Sequence, residues 1–189
     1  MRGRWLPAVF AGLTMVSALF TASTGPARAD VDGFAVGDSV MLGARWALQD
    51  RGFEVDAEKS RQAGAGPSVV RKQGAGLQSA VVVHLGTNGV FPPDTCDRLV
   101  DQVGAQRTLF LVTVKVPRSW ERSNNRTIRE CARRFDNVRI VEWNTAATSH
   151  PEWLYDDGVH LRPDGARAFA RLITQVVRES QAAIAVPPT

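Results

Sequence analysis

The chain has 189 residues, of which 23 are Lys or Arg and 19 are Asp or Glu, giving a formal net charge of +4 at pH 7. Three of the arginines and none of the acids fall within residues 1–29, so the remainder carries 20 basic against 19 acidic residues. The net charge of residues 30–189 is therefore close to zero, which gives no support for a nucleic-acid-binding surface. Its length of about 160 residues suits one domain with a substantial core.

The first 29 residues have the pattern of a secretory signal. Arg2 and Arg4 precede an uncharged stretch over 5–22, and Ala27-Arg28-Ala29 supplies the small residues of a cleavage site. An uncleaved membrane anchor is the alternative, because the apolar stretch is near the lower length limit for a bilayer span. We predict three parts, namely a signal peptide over 1–29, a secreted or cell-wall-associated domain over 30–184, and a disordered tail over 185–189.

Apolar runs alternate with segments of helical spacing along the rest of the chain. The predicted strands span 33–37, 53–57, 79–85, 108–116 and 138–143. The predicted helices span 40–50, 67–72, 94–103, 125–135 and 163–183. Runs such as Ala80-Val81-Val82-Val83 are apolar at consecutive positions, as in strands that are covered on both faces. The alternation predicts an α/β fold in which helices cover both faces of a parallel sheet with five strands.

The two cysteines, Cys96 and Cys131, both fall in predicted helices. An even number of cysteines in an exported chain favours a disulfide between them, and two free buried thiols are the alternative. Neither cysteine has another Cys or a His nearby in the sequence. We therefore predict no metal site, and we predict no cofactor.

A sharp turn is predicted at Gly37-Asp38-Ser39, where the first strand ends. A helix begins directly afterwards, so the Ser39 hydroxyl lies among the unpaired N–H groups of a helix N-terminus. That setting suits a nucleophile whose reaction generates an oxyanion, and a plain N-cap serine is the alternative. We predict that Asp38 fixes the turn beside Ser39.

Polar residues follow the predicted strands at their carboxyl ends, which is where ligands of parallel sheets bind. Gly86-Thr87-Asn88 follows the third strand, and the loop after the fifth strand contains Asp157-Gly158-Val159-His160. This spacing allows the Asp157 carboxylate to hold the His160 imidazole while the other ring nitrogen takes a proton from Ser39. The three motifs in this order are a strong signal for a serine hydrolase site.

These motifs resemble those of the SGNH, or GDSL-like, hydrolases. Within that family the chain looks most like the extracellular SGNH domains of membrane O-acyltransferases that acetylate bacterial cell-wall glycans. That likeness is carried by Gly37-Asp38-Ser39-Val40-Met41-Leu42-Gly43-Ala44, Val55-Asp56-Ala57 with Arg61-Gln62, and Leu85-Gly86-Thr87-Asn88-Gly89. The resemblance implies a flavodoxin-like three-layer α/β/α sandwich and a triad of Ser39, His160 and Asp157. It also implies an oxyanion hole formed by the Ser39 N–H, a second backbone N–H and the Asn88 side chain.

The second backbone N–H aligns with Ser60, where the family normally has a glycine. A serine still donates its N–H, but it disfavours backbone conformations that glycine adopts freely. Gly64 and Gly66 are close in the sequence and are the alternative positions for this donor.

Aromatic residues near the predicted site have open interpretations. His150 and Trp153 either line a sugar or acyl site or pack under the loop, and Trp120 is a candidate for stacking on a pyranose ring. Three further residues are interpreted as structural, with His84 as a satisfied core histidine and Asn124 and Asn125 as helix caps.

Three functions fit these predictions. The first is a secreted carboxylic ester hydrolase that forms an acyl-serine and acts on O-acetyl groups of cell-wall or extracellular glycans. It is preferred because the sequence holds no multi-span membrane domain. The second is an O-acetyltransferase that passes the acyl group to a glycan hydroxyl, with a membrane acyltransferase as the partner that supplies it. The third is a non-catalytic carbohydrate-binding domain, for which Ser60 is the only hint.

The predicted ligands are the same for both enzymes. We predict a monomer that binds an acylated carbohydrate or a small acyl ester, and that binds no nucleic acid. The triad does not separate the two enzymes, because both form the same acyl-serine and differ only in whether water or a sugar accepts the acyl group.

Overall fold

The computed structural model describes residues 31–185. The predicted signal segment and nearly all of the predicted tail lie outside these residues. Within 31–185, no helix has both the length and the apolar character that crossing a bilayer requires.

One parallel sheet holds the fold together, with its five strands in the order β2-β1-β3-β4-β5. The strands are β1 (Gly33–Gly37), β2 (Phe53–Ala57), β3 (Ala80–His84), β4 (Thr108–Val112) and β5 (Val138–Val141). Gly37 is level with Ala57 on one side and with His84 on the other, so the first three strands end at the same edge. This order confirms the predicted flavodoxin-like fold, and it places the end of β1 where the strand order reverses.

Helices cover both faces of the sheet. They are α1 (Ser39–Gly43), α2 (Arg45–Gln49), α3 (Gly66–Lys72), α4 (Pro93–Val103), α5 (Glu121–Arg134), α6 (Trp143–Ser149) and α7 (Pro163–Ala185). The layer formed by α1, α2, α6 and α7 packs on strand residues such as Ala35, Val82 and Phe110. The layer formed by α3, α4 and α5 packs on the alternate strand residues, such as Phe34 and Val81.

Some predicted bounds need correction. The predicted helix over 40–50 is two helices, because Ala44 leaves the helical conformation with φ −98° and ψ 3°. The predicted strands over 108–116 and 138–143 end at Val112 and Val141, and Trp143 instead begins α6, which was not predicted. In α6 only Trp143 and Ala147 are buried, too few apolar positions for a clear helical pattern. The last helix reaches Ala185, one residue into the predicted tail.

A disulfide joins Cys96 in α4 to Cys131 in α5, with 5.9 Å between the two Cα atoms. The predicted pairing is therefore confirmed. The bridge links two helices of one layer across 35 residues of sequence. A crosslink of that length stabilises a fold mainly by restricting the unfolded chain.

Candidate active site

The turn after β1 presents Ser39 at the start of α1. A Cβ atom on Gly37 would lie 2.3 Å from the Cβ of Met41, so the chain can turn this tightly only with a glycine there. The cap of the helix is Asp38, whose Oδ1 accepts a hydrogen bond from the Val40 N–H at 3.1 Å. Asp38 therefore fixes the turn as predicted, and the Ser39 hydroxyl is not needed as a cap.

The loop between α6 and α7 carries Asp157 and His160. An antiparallel bridge between Leu154 and Leu161 closes its base, and the Tyr155 N–H donates to the His160 carbonyl at 2.8 Å. Both leucines are buried, which anchors the loop on the core. Gly158 has φ +67°, a conformation that suits glycine and turns the chain back within this short loop.

A continuous hydrogen-bond chain joins Ser39, His160 and Asp157. The Ser39 Oγ lies 3.0 Å from Nε2 of His160, and Nδ1 of His160 lies 2.6 Å from Oδ2 of Asp157. The other carboxylate oxygen accepts the backbone N–H groups of Val159 and His160 at 2.9 and 3.0 Å. The carboxylate is thus held from both sides while the imidazole reaches the hydroxyl.

The charge of Asp157 determines which ring nitrogen of His160 carries a proton. Partial burial raises the pKa of Asp157, but hydrogen bonds from the His160 ring and from the His160 and Val159 N–H groups outweigh this and lower it to about 2. An ionised carboxylate can only accept, so Nδ1 of the neutral imidazole carries the hydrogen. The lone pair of Nε2 then faces the Ser39 hydroxyl, which is the arrangement of a general base beside a nucleophile.

An open pocket of about 550 Å³ lies beside this chain. Its lining consists of Ser39, Leu42, Gly43, Lys59, Ser60, Asn88 and His160. The structure therefore brings Ser60 and Asn88 to Ser39, as the resemblance implied. Gly64 and Gly66, the two alternatives to Ser60, are not part of this lining. Leu42, Gly43 and Lys59 were not predicted as site residues, although Lys59 directly precedes Ser60 and the other two lie in α1, which begins at Ser39.

Ser60 adopts the backbone conformation that a glycine would normally take. Its φ is +60°, and no other non-glycine residue within 31–185 has a positive φ. A left-handed conformation costs an L-residue about 1–2 kcal/mol. Neither the Ser39 N–H nor the Ser60 N–H donates to another group of the described residues, so both are free for an oxygen in the pocket.

Arg61 and Gln62 hold the Ser60 turn against the strand ends. The Arg61 guanidinium donates to the carbonyls of Gly37 and Asp56 at 3.2 and 2.6 Å. It also bonds the Asp56 carboxylate at 2.7 Å, and its side chain is only 8% exposed. Gln62 Nε2 donates to the Asn88 carbonyl at 2.9 Å. These contacts connect three stretches of the site that are distant in sequence.

A buried acid and a buried base lie beneath Ser39. Asp38 and His84 are both fully buried, with Oδ1 of the acid 3.4 Å from Nδ1 of the histidine. Neither ring nitrogen of His84 has a hydrogen bond of good geometry within the described residues, so the prediction of a satisfied core histidine holds for its burial only. Burial raises the pKa of Asp38, but the His84 imidazole, the Thr87 hydroxyl and the Val40 N–H outweigh it and lower the pKa below its ordinary value.

The structure does not bring Trp120, His150 or Trp153 into the Ser39 pocket. His150 stacks on Trp153 with ring centroids 4.0 Å apart, and Trp153 stacks on the buried Trp143 at 5.9 Å. This is the packing alternative that the sequence left open for the loop. Trp120 is half-buried directly before α5.

The two asparagines of α5 are not caps, because the helix begins at Glu121 and buries both of them. Asn124 donates to the carbonyls of Gly86 and Gly89 at 2.9 and 2.8 Å, and its carbonyl accepts the Phe91 N–H at 2.8 Å. Asn125 bonds both backbone groups of Val114. Asn124 therefore fixes the loop that presents Asn88, a role that no local pattern revealed.

Comparison with known proteins points to one group of enzymes. The chain is 34% identical over 157 residues to the putative peptidoglycan O-acetyltransferase YrhL of Bacillus subtilis, covering 81% of this chain. It is 33% identical over 149 residues to the peptidoglycan O-acetyltransferase OatA of Listeria monocytogenes, covering 77% of this chain. The match spans only 25% and 24% of these two relatives. No family model matches the chain.

Solved structures identify the fold. The C-terminal catalytic domain of Streptococcus pneumoniae OatA superimposes with a TM-score of 0.70 and 24% identity, covering 81% of this chain and 96% of that domain. The chain has the SGNH hydrolase fold. A carbohydrate esterase of family 3 from Talaromyces cellulolyticus shares the SGNH fold at a TM-score of 0.60 and 16% identity, covering 78% of this chain and 98% of the esterase.

These matches confirm the resemblance seen in the sequence. The chain is an SGNH-fold homologue of the OatA and YrhL O-acetyltransferases over about a quarter of their length. The relatives are named as O-acetyltransferases, and some structural neighbours are esterases. Both support an enzyme that transfers acyl groups or cleaves ester bonds.

Proposed function

We propose that this protein is a secreted serine esterase that removes O-acetyl groups from cell-wall or extracellular glycans through an acyl-serine on Ser39. The observation that carries the proposal is the hydrogen-bond chain from Ser39 through His160 to Asp157, at 3.0 and 2.6 Å. It opens into a pocket that also contains Ser60 and Asn88. A serine that served only as a helix cap would need none of these neighbours.

The geometry supports the following acylation step. Nε2 of His160 takes the hydroxyl proton as Ser39 Oγ bonds to the carbonyl carbon of the acetyl ester. The negative charge moves to the carbonyl oxygen, and we assign its stabilisation to the N–H groups of Ser39 and Ser60 and to Nδ2 of Asn88. His160 then gives its proton to the departing glycan oxygen, which leaves an acetyl-serine.

Deacylation repeats these steps with a new acceptor. His160 takes a proton from water, the resulting hydroxide equivalent attacks the acetyl-serine, and acetate leaves as Ser39 regains its proton. Asp157 remains ionised throughout at neutral pH, because its pKa is lowered to about 2. Its role is to hold the imidazole and to stabilise the imidazolium that forms in each step.

A second candidate function is O-acetyl transfer to a glycan hydroxyl. The relatives favour it, because OatA and YrhL are named as peptidoglycan O-acetyltransferases. The same acetyl-serine serves both reactions, and a sugar hydroxyl replaces water in the second half. A membrane acyltransferase is the partner that would supply the acetyl group in that case.

The proposal is tested by measuring hydrolysis of 4-nitrophenyl acetate and of an O-acetylated chito-oligosaccharide by the purified protein. We expect release of acetate from both, and a loss of about three or more decades of turnover in Ser39→Ala. Full activity in Ser39→Ala would overturn the assignment of the nucleophile. Adding an unacetylated chito-oligosaccharide separates the two functions, since a transferase would convert it to an acetylated product in preference to releasing acetate.

A further inference from the structure

A buried hydrogen-bond chain runs beneath Asn88, and the mechanism above does not use it. It begins at Asp38, which is fully buried, and continues through Thr87, which is 6% exposed. The Thr87 Oγ1 lies 2.5 Å from Oδ2 of Asp38. The Asn88 Nδ2 in turn lies 3.3 Å from Thr87 Oγ1.

The direction of each hydrogen bond follows from the charge of Asp38. Burial raises the pKa of this carboxyl, but the facing His84, the Thr87 hydroxyl and the Val40 N–H outweigh it and keep the pKa below its ordinary value, so the carboxyl is ionised and can only accept. The Thr87 hydroxyl must therefore donate its hydrogen to Asp38. The group that Thr87 Oγ1 then presents to Asn88 is a lone pair, which can only accept a hydrogen bond.

This fixes which end of the Asn88 amide faces the buried side. Thr87 Oγ1 and the Arg61 carbonyl, at 3.3 and 3.4 Å, are both acceptors, so the NH₂ group and not the carbonyl oxygen points to them. Both distances are long for N–H···O bonds, so they orient the amide without saturating it. A developing oxyanion in the pocket is a charged acceptor and takes the stronger hydrogen bond.

We propose that Thr87 is a positioning residue, which relays the fixed polarity of Asp38 to the Asn88 amide and so keeps its NH₂ group available to the oxyanion. The inference rests on the proposed function, because only a reaction that forms an oxyanion uses this donor. Thr87 itself does not line the pocket, so it acts through Asn88 and not on the substrate.

Two substitutions at Thr87 isolate the hydroxyl. Thr87→Val keeps the shape of the side chain and removes the hydroxyl, and Thr87→Ser keeps the hydroxyl. We expect Thr87→Val to lower kcat for 4-nitrophenyl acetate about tenfold with little change in KM, because only the transition state uses the Asn88 donor. Thr87→Ser should retain most of the wild-type kcat.

A double-mutant cycle with Asn88→Ala distinguishes positioning from a general structural role. Asn88→Ala alone should lower kcat and kcat/KM together by roughly 10²–10³-fold. In that background, Thr87→Val should change kcat by less than about twofold, because the group that it positions is gone. An equal loss of kcat in both backgrounds would overturn the proposal. If Thr87→Val does not fold, Thr87→Ala replaces it in the same double-mutant cycle, because the smaller side chain creates no clash.

The same measurements separate this inference from the proposed function. If wild-type protein turns over acetyl esters and Thr87→Val has the same kcat, only the role of Thr87 is rejected. Wild-type protein without Ser39-dependent turnover would reject the proposed function, and the role of Thr87 would fall with it.

Discussion

The two sides of the Ser39 pocket are built differently. On the relay side, meaning Asp157 and His160, the two side chains are 47% and 50% exposed and are held mainly by bonds within one short loop. On the oxyanion side, meaning Ser60 and Asn88, Gln62 is exposed, but the other main supports, Arg61 and Asp38, have buried side chains. Arg61 is 8% exposed and Asp38 is fully buried.

The difference matches what each side must do in the proposed reaction. His160 exchanges protons with Ser39, with the leaving alcohol and with the acceptor, so its partners change from step to step. The oxyanion donors have one partner, which appears only in the transition state, and they are most effective when they are already in place. We therefore expect changes on the relay side to affect rate alone, and changes under the oxyanion side to affect both rate and stability.

The largest effect is expected for His160→Ala on the relay side. Turnover should fall by about 10⁴-fold or more, because no other described residue accepts the Ser39 proton. The melting temperature should stay close to that of the wild type, since the side chain is half-exposed. His150→Ala is the matched control, an exposed histidine outside the Ser39 pocket, and should keep the wild-type rate. A large fall in melting temperature for His160→Ala would show that the relay side also supports the fold, contrary to this expectation.

A smaller effect on rate is expected for Arg61→Lys under the oxyanion side. A single ammonium cannot reproduce the planar fork that bonds two carbonyls and the Asp56 carboxylate. We expect kcat to fall roughly 10- to 100-fold, because the Ser60 turn shifts. The free energy of unfolding should fall by about 1–3 kcal/mol, because buried acceptors lose their donors.

Denaturant unfolding and steady-state kinetics on the same sample check both effects of Arg61→Lys. Arg118→Lys is its control, since within residues 31–185 Arg118 bonds only the adjacent Pro117 carbonyl and the backbone of its own turn. Loss of activity with unchanged stability would contradict the expected link between rate and stability on this side, because it would show that the guanidinium fork positions the Ser60 turn without stabilising the fold.

The smallest effect is expected for Ser60→Gly. Glycine adopts φ +60° without the strain of about 1–2 kcal/mol that serine carries, although it loses more backbone entropy on folding. We expect kcat within about twofold of the wild type and a gain in unfolding free energy of at most about 1 kcal/mol. Ser60→Val should lose both stability and rate, because a β-branched residue resists a positive φ. A severe loss of activity in Ser60→Gly would mean that the serine side chain itself takes part.

Sequence patterns located all five strands and the residues of the relay side, although β4 and β5 end earlier than predicted. The central strands β1, β3 and β4 are buried on both faces, so they appear as continuous apolar runs. Ser39 lies in a short motif directly after β1, and Asp157 and His160 lie in a short motif in the loop before α7. The spacing of Asp157 and His160 alone placed both side chains within reach of each other. These features depend on residues that are neighbours in the chain.

The supports of the oxyanion side could not be predicted in the same way. Thr87 reaches Asp38 across 49 residues, and Asn124 reaches Gly86 across 38. Asn124 resembled a cap, because asparagine is common at helix starts and its true partners are distant. The positive φ of Ser60 was the exception, since the glycine expected at that position signalled it.

Covalent trapping of the nucleophile is the decisive experiment for the role of Ser39. The purified protein is treated with a fluorophosphonate, digested, and mapped by mass spectrometry. We expect one adduct, on Ser39, that forms much more slowly in His160→Ala and at a measurable rate in Asn88→Ala. An adduct on another serine, or no adduct in protein that hydrolyses acetyl esters, would contradict it.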